Sequence, residues 1–224
     1  MNCLSHLERE LIEAGCTPLA GVDEAGRGPL AGPVTAAAVV FDANTTIEGM
    51  DDSKKLTHVQ REALAVEIRR KSLAYAISDV DVTEIDRINI LQASILAMHR
   101  AVDALGLVPA LLLVDGNRFH HPRLPFRTII RGDSLCFSIA AASILAKVHR
   151  DAVMDAYDLE WPQYGFARHR GYATAAHVEA LRTHGPCPLH RTSFTVRALV
   201  EQELPFDDAP LTTRHGARRR NPRR

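Results

Sequence analysis

The chain has 224 residues, 46% of them apolar and 24% charged, enough for one sizeable globular domain with a small appendage. Its 27 basic and 27 acidic residues cancel, but the last eleven, RHGARRRNPRR, hold six arginines and no acid, so the remaining body carries 21 basic against 27 acidic residues. An acidic body with a basic tail argues against a whole-surface nucleic-acid binder and permits a local basic groove, with Arg27, Lys54, Lys55 and Lys147 as candidate phosphate contacts.

Taken in chain order, LSHLERELIEA (4–14) has helical spacing, and TPLAGVDEAGRG gives a strand near 18–23 that ends in a glycine turn. PVTAAAVVF (33–41) is its expected hairpin partner. Thr57 with Gln60 forms a capping-box pattern that opens a helix to about Lys71, and LAYAISDV (73–80) is a third strand. Ile88, Leu91, Ile95, Met98, Val102 and Leu105 recur at helical spacing, which predicts one core-facing helix over 87–105. LLLVD (111–115) reads as a buried central strand and FRTIIRG (126–132) as another. Ser134 to about Tyr157 is expected to be one long helix, rich in small residues that let it sit close to a sheet; 173–184 and 192–203 are further expected helices. The order β-β-α-β-α-β-β-α fits an α/β fold, a mixed sheet with helices on its faces and a helical C-terminal part. From Asp207 onward the chain is polar and rich in breakers, and is expected to be disordered.

Cys3, Cys16, Cys136 and Cys187 form no CxxC pair and no zinc spacing, and read as free thiols of a reducing cytoplasm. The eleven histidines are mostly scattered; His120–His121 and the His184/His190 pair fall in polar loops and read as surface or loop-satisfied. MNCLSHLERE lacks the order of a signal peptide, and no apolar stretch reaches the ~18 residues of a membrane span.

The chemistry-bearing residues are four carboxylates in three short motifs: Asp23 and Glu24 in GVDEAGRGPLAGPV, Asp115 in LLLVDGNR, and Asp133 in IIRGDS. Each motif follows an apolar, strand-like run, so sheet rims far apart in sequence can bring the four together. Packed carboxylates repel one another, and a hard divalent cation, Mg²⁺ or Mn²⁺, removes that conflict. A pair of such ions about 4 Å apart suits in-line attack on a phosphodiester. Taken singly each acid has a plainer role: a solvated strand-end turn for Asp23–Glu24, a β-turn for Asp115, a helix N-cap for Asp133. The glycines around Arg27 suggest backbone close to a ligand, yet GRGPLAG matches neither GxxxxGKS nor GxGxxG, which disfavours a nucleotide-triphosphate site.

GVDEAGRGPLAGPV, DDSKKL, EIDRINIL, LLVDGNR, RGDS, AAASILAKVHRD, YGFARHRGY and HRTSF stand in the order seen in bacterial ribonuclease HII, which the chain resembles from residue 19 to about 200. The resemblance implies a ribonuclease H-like five-stranded sheet. It also implies an N-terminal extension over 1–17, a catalytic domain over 18–157, a helical part over 158–206 completing the substrate groove, and a basic tail over 207–224. By the same resemblance Asp23, Glu24, Asp115 and Asp133 are the metal-binding carboxylates, Asp23 bridging two ions from its central strand. Gly26, Arg27 and Gly28 match the loop that senses the ribose 2′-OH, the group that tells RNA from DNA. Tyr172 matches the tyrosine that stacks on the sugar after the scissile position, with Tyr164 as the other candidate. Lys54, Lys55 and Lys147 look like phosphate contacts. The implied activity is cleavage of the RNA strand of RNA·DNA hybrids and cutting 5′ to single ribonucleotides in duplex DNA, by a monomer. Gln202-Glu203-Leu204-Pro205-Phe206 resembles the QxLxF peptide that docks bacterial replication proteins on the sliding clamp. Two rival readings are a DNA-directed nuclease of the same superfold, favoured by loss of the GRG loop, and a non-catalytic hybrid-binding protein, favoured by loss of a carboxylate.

Overall fold

The apolar runs of the sequence become five strands: β1 (Leu19–Ala25), β2 (Val34–Val40), β3 (Ala74–Val80), β4 (Leu111–Asp115) and β5 (Phe126–Ile129). A computed structural model describes residues 4–50 and 56–194. The strands form one sheet in the order β3-β2-β1-β4-β5. β1–β2 and β2–β3 pair antiparallel, whereas β1–β4 and β4–β5 pair parallel, so the sheet is mixed and β1 is its centre. Every residue of β2 is buried, as a strand covered on both faces requires of its mostly apolar run; the one polar side chain, Thr35, hydrogen-bonds to Asp79.

The helices are α1 (His6–Glu13), α2 (His58–Lys71), α3 (Val82–Ile88), α4 (Ile90–Asp103), α5 (Gly132–Leu135), α6 (Phe137–Glu160), α7 (Phe166–His169) and α8 (Ala175–His184). One face of the sheet packs through Ala20, Val22, Ala36 and Ala38 onto Ala93, Ala97, Met98 and Val102 of α4. The other packs through Ala37 and Val39 onto Ala141, Ile144 and Leu145 of α6 and Leu64 and Ile68 of α2. Thr57 caps α2 with the expected capping box.

Two expected helices are each broken in two. The predicted 87–105 helix is interrupted at Asn89, which adopts φ 69° and caps α4 by accepting the Leu91 and Gln92 N–H groups on Oδ1, at 3.0 and 3.2 Å. The predicted 134–157 helix is preceded by the separate turn α5, because Cys136 is extended (φ −127°, ψ 127°). Asp133 therefore sits inside α5 and is not the N-cap of the long helix. The N-terminus of α6 is served from the other end of the chain: the buried Glu8 carboxylate accepts the N–H groups of Phe137 (2.9 Å) and Ser138 (2.8 Å) and the Ser138 hydroxyl (2.6 Å). A carboxylate there satisfies orphan donors and suits the helix dipole. Beyond α6, Tyr164, Phe166, Leu181 and Cys187 pack with Leu30, Ala31 and Met154, so the C-terminal helices lie against the loop that follows β1. Among the described residues no helix is long and apolar enough to cross a membrane. Lys54, Lys55, Gln202–Phe206, the basic tail and most of the expected 192–203 helix lie outside the described residues.

Candidate active site

The parallel pairing of β1 and β4 brings two of the acids together. Val22 registers with Val114, so Asp23 and Asp115, one residue on, stand side by side on the same face at the C-terminal ends of adjacent strands. That face looks toward α6. The close approach depends on Gly21, where a Cβ would fall 2.2 Å from the Ser138 carbonyl carbon, so any side chain would push α6 off the sheet. Asp115 Oδ1 accepts the Gly132 N–H at 2.6 Å, which pulls the start of α5, and Asp133 with it, onto the end of β4. Gly132 is constrained less, because its Cβ would meet the terminal Cδ1 of Ile139, at 2.6 Å, which a rotation of that side chain can relieve.

A cleft of about 440 Å³ opens at this rim, lined by Asp23, Glu24, Ala25, Gly26, Arg27, Gly28, Arg61, Asp115, Ser143, Lys147, Arg150 and Tyr172. Three of the four predicted acids, the whole GRG loop, Lys147 and Tyr172 thus share one cavity. Asp133 is buried, does not line this cleft, and acts electrostatically on Asp115. Of the two tyrosines, Tyr172 is exposed on the cleft, whereas Tyr164 is buried with its hydroxyl donating to the Gly185 carbonyl at 2.8 Å. Lys147 reaches the cleft but its ammonium is tied to Asp151 Oδ1 at 2.7 Å.

The acids repel one another. Burial, then Glu24 and Asp115 beside it, raises the Asp23 carboxyl well above its ordinary range, while Ser143 and the Glu24 N–H partly offset this by hydrogen bonding. Burial also raises Glu24; Arg27, bonded to it at 3.1 Å, opposes the rise and Asp115 adds to it. Asp115 is raised by burial and by Asp133, against the hydrogen bond from Gly132. Among the described residues no three His, Cys, Asp or Glu side chains already stand together as a metal cage. The donor set is nevertheless all hard oxygen, and carboxylates raised first by burial and then by one another's charge lack a counter-cation, so the residues fit a divalent ion of the Mg²⁺ or Mn²⁺ kind.

Sequence reasoning missed the residues that shape the GRG loop. Gly26 (φ +92°) has no room for a Cβ, which would lie 2.0 Å from Arg150 Nε. The buried Arg150 donates to the carbonyls of Pro33 (2.9 Å), Ala31 (3.1 Å) and Arg170 (3.0 Å). The buried Arg191 donates to the carbonyls of Gly26 (2.6 Å), Arg27 (3.0 Å), Gly32 (2.8 and 3.0 Å) and Pro33 (3.2 Å). In a trans peptide the C=O and N–H point in opposite directions. Holding the Gly26 and Arg27 carbonyls inward on Arg191 therefore turns the N–H groups of Arg27 and Gly28 away from it, to the open side. Asp86 fixes Arg191 in turn, because its carboxylate accepts both N–H and hydroxyl of Thr192 (2.9 and 2.7 Å) and of Ser193 (3.0 and 2.5 Å). The only sequence signal for these roles was that Asp86, Arg150 and Arg191 sit in the EIDRINIL, AKVHRD and HRTSF motifs. Arg61 carried no signal at all.

A mixed five-stranded sheet flanked by helices, with carboxylates gathered at the rim of its central strands, defines a ribonuclease H-like, metal-dependent nuclease. The family model of Ribonuclease HII matches residues 20–197, and the chain belongs to that family of metal-dependent endoribonucleases, which cleave RNA in RNA–DNA hybrids. It is 57% identical over 188 residues to Ribonuclease HII of Pelodictyon phaeoclathratiforme, covering 81% of this chain and 91% of that protein. It is 54% identical over 188 residues to that of Albidiferax ferrireducens, covering 84% and 91%. Among solved structures it resembles ribonuclease H2 from Pyrococcus horikoshii (TM-score 0.68, 26% identity, 82% of this chain and 97% of that one). It also resembles the RNase HII of Archaeoglobus fulgidus solved in complex with PCNA (TM-score 0.66, 25% identity, 80% and 96%).

Proposed function

We propose that this chain hydrolyses the RNA strand of RNA·DNA hybrids and also cuts 5′ to single ribonucleotides embedded in duplex DNA, leaving 3′-hydroxyl and 5′-phosphate ends. The observation that carries the reading is one cleft lined at once by Asp23, Glu24, Asp115, the Gly26–Gly28 loop and Tyr172. Asp23, Glu24, Asp115 and Asp133 would hold two divalent cations, Mg²⁺ or Mn²⁺. When bound, such ions supply water activation and charge relief on the scissile phosphate.

The chain's own residues do the recognition. The outward N–H groups of Arg27 and Gly28 are the donors for the 2′-oxygen and the adjoining phosphate, and the Arg27 guanidinium balances Glu24 at the rim. Tyr172 stacks on the sugar after the scissile position; its ring lies over Gly28, where an added Cβ would be 3.5 Å from Tyr172 Cε1. A Cβ at residue 28 would be tolerated by the ring, so a small side chain there would act on the sugar lying between them rather than on the fold. Lys147 at the cleft and Lys54 and Lys55 outside the described residues are the proposed phosphate contacts.

The GRG loop and all four carboxylates favour this reading over a DNA-directed nuclease and over a non-catalytic binder. Free thiols at Cys16, Cys136 and Cys187 support a cytoplasmic enzyme. The archaeal relative solved with PCNA supports reading Gln202–Phe206 as a clamp-docking peptide; clamp pull-down should succeed with the wild type and fail with Gln202→Ala/Phe206→Ala. The test of the activity is a substrate panel: one ribonucleotide in duplex DNA, the same position as 2′-O-methyl, and all-DNA. Cutting of the first alone, with product 3′ ends that a polymerase extends, supports the reading. Cutting of all three sinks the assignment of the loop.

A further inference from the structure

Tyr172 follows a strained turn. Arg170 (φ 52°) and Gly171 (φ 83°) are both left-handed, and a Cβ on Gly171 would come within 2.5 Å of the Ala31 carbonyl oxygen. Such backbone persists only where its surroundings over-determine it. The Tyr172 N–H donates to the His169 carbonyl at 2.8 Å, and the Tyr172 carbonyl accepts from His177 Nδ1 at 2.9 Å. His177 is fully buried, stacked on His169 at 4.3 Å between ring centroids.

The hydrogen bonds allow one order of protons. A carbonyl oxygen only accepts, so His177 Nδ1 carries the hydrogen and its Nε2 is bare. That Nε2 lies 3.0 Å from His190 Nε2, which must then be the donor. His190 with its proton on Nε2 has a bare Nδ1, and this atom accepts the Cys187 N–H at 3.0 Å, a main-chain donor that a hydrogen on Nδ1 would oppose; the Cys187 thiol at 3.2 Å can donate to it as well, and the Cys187 carbonyl oxygen lies 3.2 Å away. The chain Cys187 to His190 to His177 to Tyr172 thus runs in a single direction, with both imidazoles neutral. Burial lowers both histidines, His177 to about 4, which keeps them uncharged. A proton added to His177 would set two N–H groups face to face.

We infer that His177, locked in its Nδ1–H tautomer by His190, is a positioning residue that holds the Tyr172 main chain, and so directs the Tyr172 ring across the Gly28 edge of the cleft. The inference rests on the reading of Tyr172 as the sugar-stacking residue. His177 touches neither the carboxylates nor the cleft, so its effect on cleavage passes through the Tyr172 main chain it holds, and the Tyr172→Ala background separates this route from one relayed through His190 to Arg191. A side chain that donates from the Nδ1 position preserves the function. Asparagine does, because its amide nitrogen occupies much the same place. Phenylalanine keeps the ring and loses the donor.

The test is a double-mutant cycle on cleavage of a duplex with one ribonucleotide, in Mg²⁺. His177→Phe is expected to lower kcat/KM by about ten- to a hundredfold, the effect of a misplaced contact group, and His177→Asn to restore it to within about threefold. In a Tyr172→Ala background, His177→Phe should add less than about threefold. An equal loss in both backgrounds, or none in the wild type, overturns the inference while leaving Tyr172 in place. Tyr172→Ala without effect overturns the reading of Tyr172 and the inference with it. Should His177→Phe not fold, ¹⁵N NMR of the wild-type imidazoles decides: Nδ1–H on His177 with Nε2–H on His190 supports the inference, and the reverse tautomers overturn it.

Discussion

Arg191→Met isolates the inner support of the GRG loop. Arg191 is 3% exposed and forms no ion pair among the described residues; burial pushes its guanidinium down to about 9, far below its ordinary value. At about 1.4 kcal/mol per pH unit, holding that charge inside costs on the order of 5 kcal/mol. Methionine removes this cost but strands the carbonyls of Gly26, Arg27 and Gly32, at about 1–3 kcal/mol each. The two effects nearly cancel, about 6 kcal/mol against about 5, leaving a net destabilisation of about 1 kcal/mol by urea unfolding. Activity has no such compensation. Freed peptides no longer point the Arg27 and Gly28 N–H groups outward, and loss of one oriented donor typically costs about 10²–10³ in rate. Single-turnover cleavage of a one-ribonucleotide duplex should therefore fall at least a hundredfold. Arg191→Lys keeps the buried charge and loses the planar fork, so it should be less stable than Arg191→Met and no more active. Wild-type cleavage by either variant, or lysine more stable than methionine, would refute the reasoning.

Further expectations follow from the site and its frame. Without metal, raised carboxyl pKa values mean the folded state binds more protons, so the stability they carry is present below the ordinary carboxyl range and lost as pH rises through the raised values. Asp115→Asn should thus raise the metal-free Tm at pH 8 by a few degrees, roughly 1–2 kcal/mol; the gain should vanish toward pH 4, and millimolar Mg²⁺ should stabilise the wild type but not the variant. Asp86 is held down to about 2, chiefly by hydrogen bonds from Ser193 and Thr192 that overcome its burial. Its contribution, about 1–2 kcal/mol after solvent screening, is present above the ordinary aspartate value and lost as pH falls toward 2, so the gap between wild type and Asp86→Asn in urea unfolding should narrow below pH 4 and close toward pH 2. Tyr164→Ala should cost about 3–5 kcal/mol of stability through the cavity it leaves, whereas Tyr172→Ala should melt like the wild type and lose cleavage; the opposite pattern would reassign the two tyrosines.

All five strands were legible from their apolar or β-branched runs, and β2 read as the hairpin partner of β1 from its β-branched, alanine-rich run; β5, expected over 126–132, ends at Ile129 because Arg131 turns left-handed into α5. The two broken helices were not, since apolar periodicity runs through a single left-handed residue such as Asn89 without a change of phase. Asparagine is a favoured N-cap, so its position held the missed signal. The acids were legible as candidates because each motif follows an apolar run, although Asp133 lies in α5 beyond the end of β5, and the register of β1 with β4 explains why two of them stand together. The support was illegible for a different reason. Arg191 reaches carbonyls 158–165 residues earlier in the chain, and Glu8 caps a helix 129 residues away, distances over which local pattern carries no information. The reading of His190 as loop-satisfied caught its backbone partner at Cys187 but not its burial or its contact with His177.

The central claim is that the four clustered carboxylates cut nucleic acid only where a 2′-hydroxyl is presented. The most direct test is cleavage of an end-labelled DNA duplex carrying one ribonucleotide, with Mg²⁺, Mn²⁺ or chelator, by wild type and Asp133→Asn, beside an all-DNA control. The account predicts a single metal-dependent cut 5′ to the ribonucleotide, absent with chelator, in the variant and on all-DNA. Cutting that survives Asp133→Asn, or that appears on the all-DNA duplex, would contradict it.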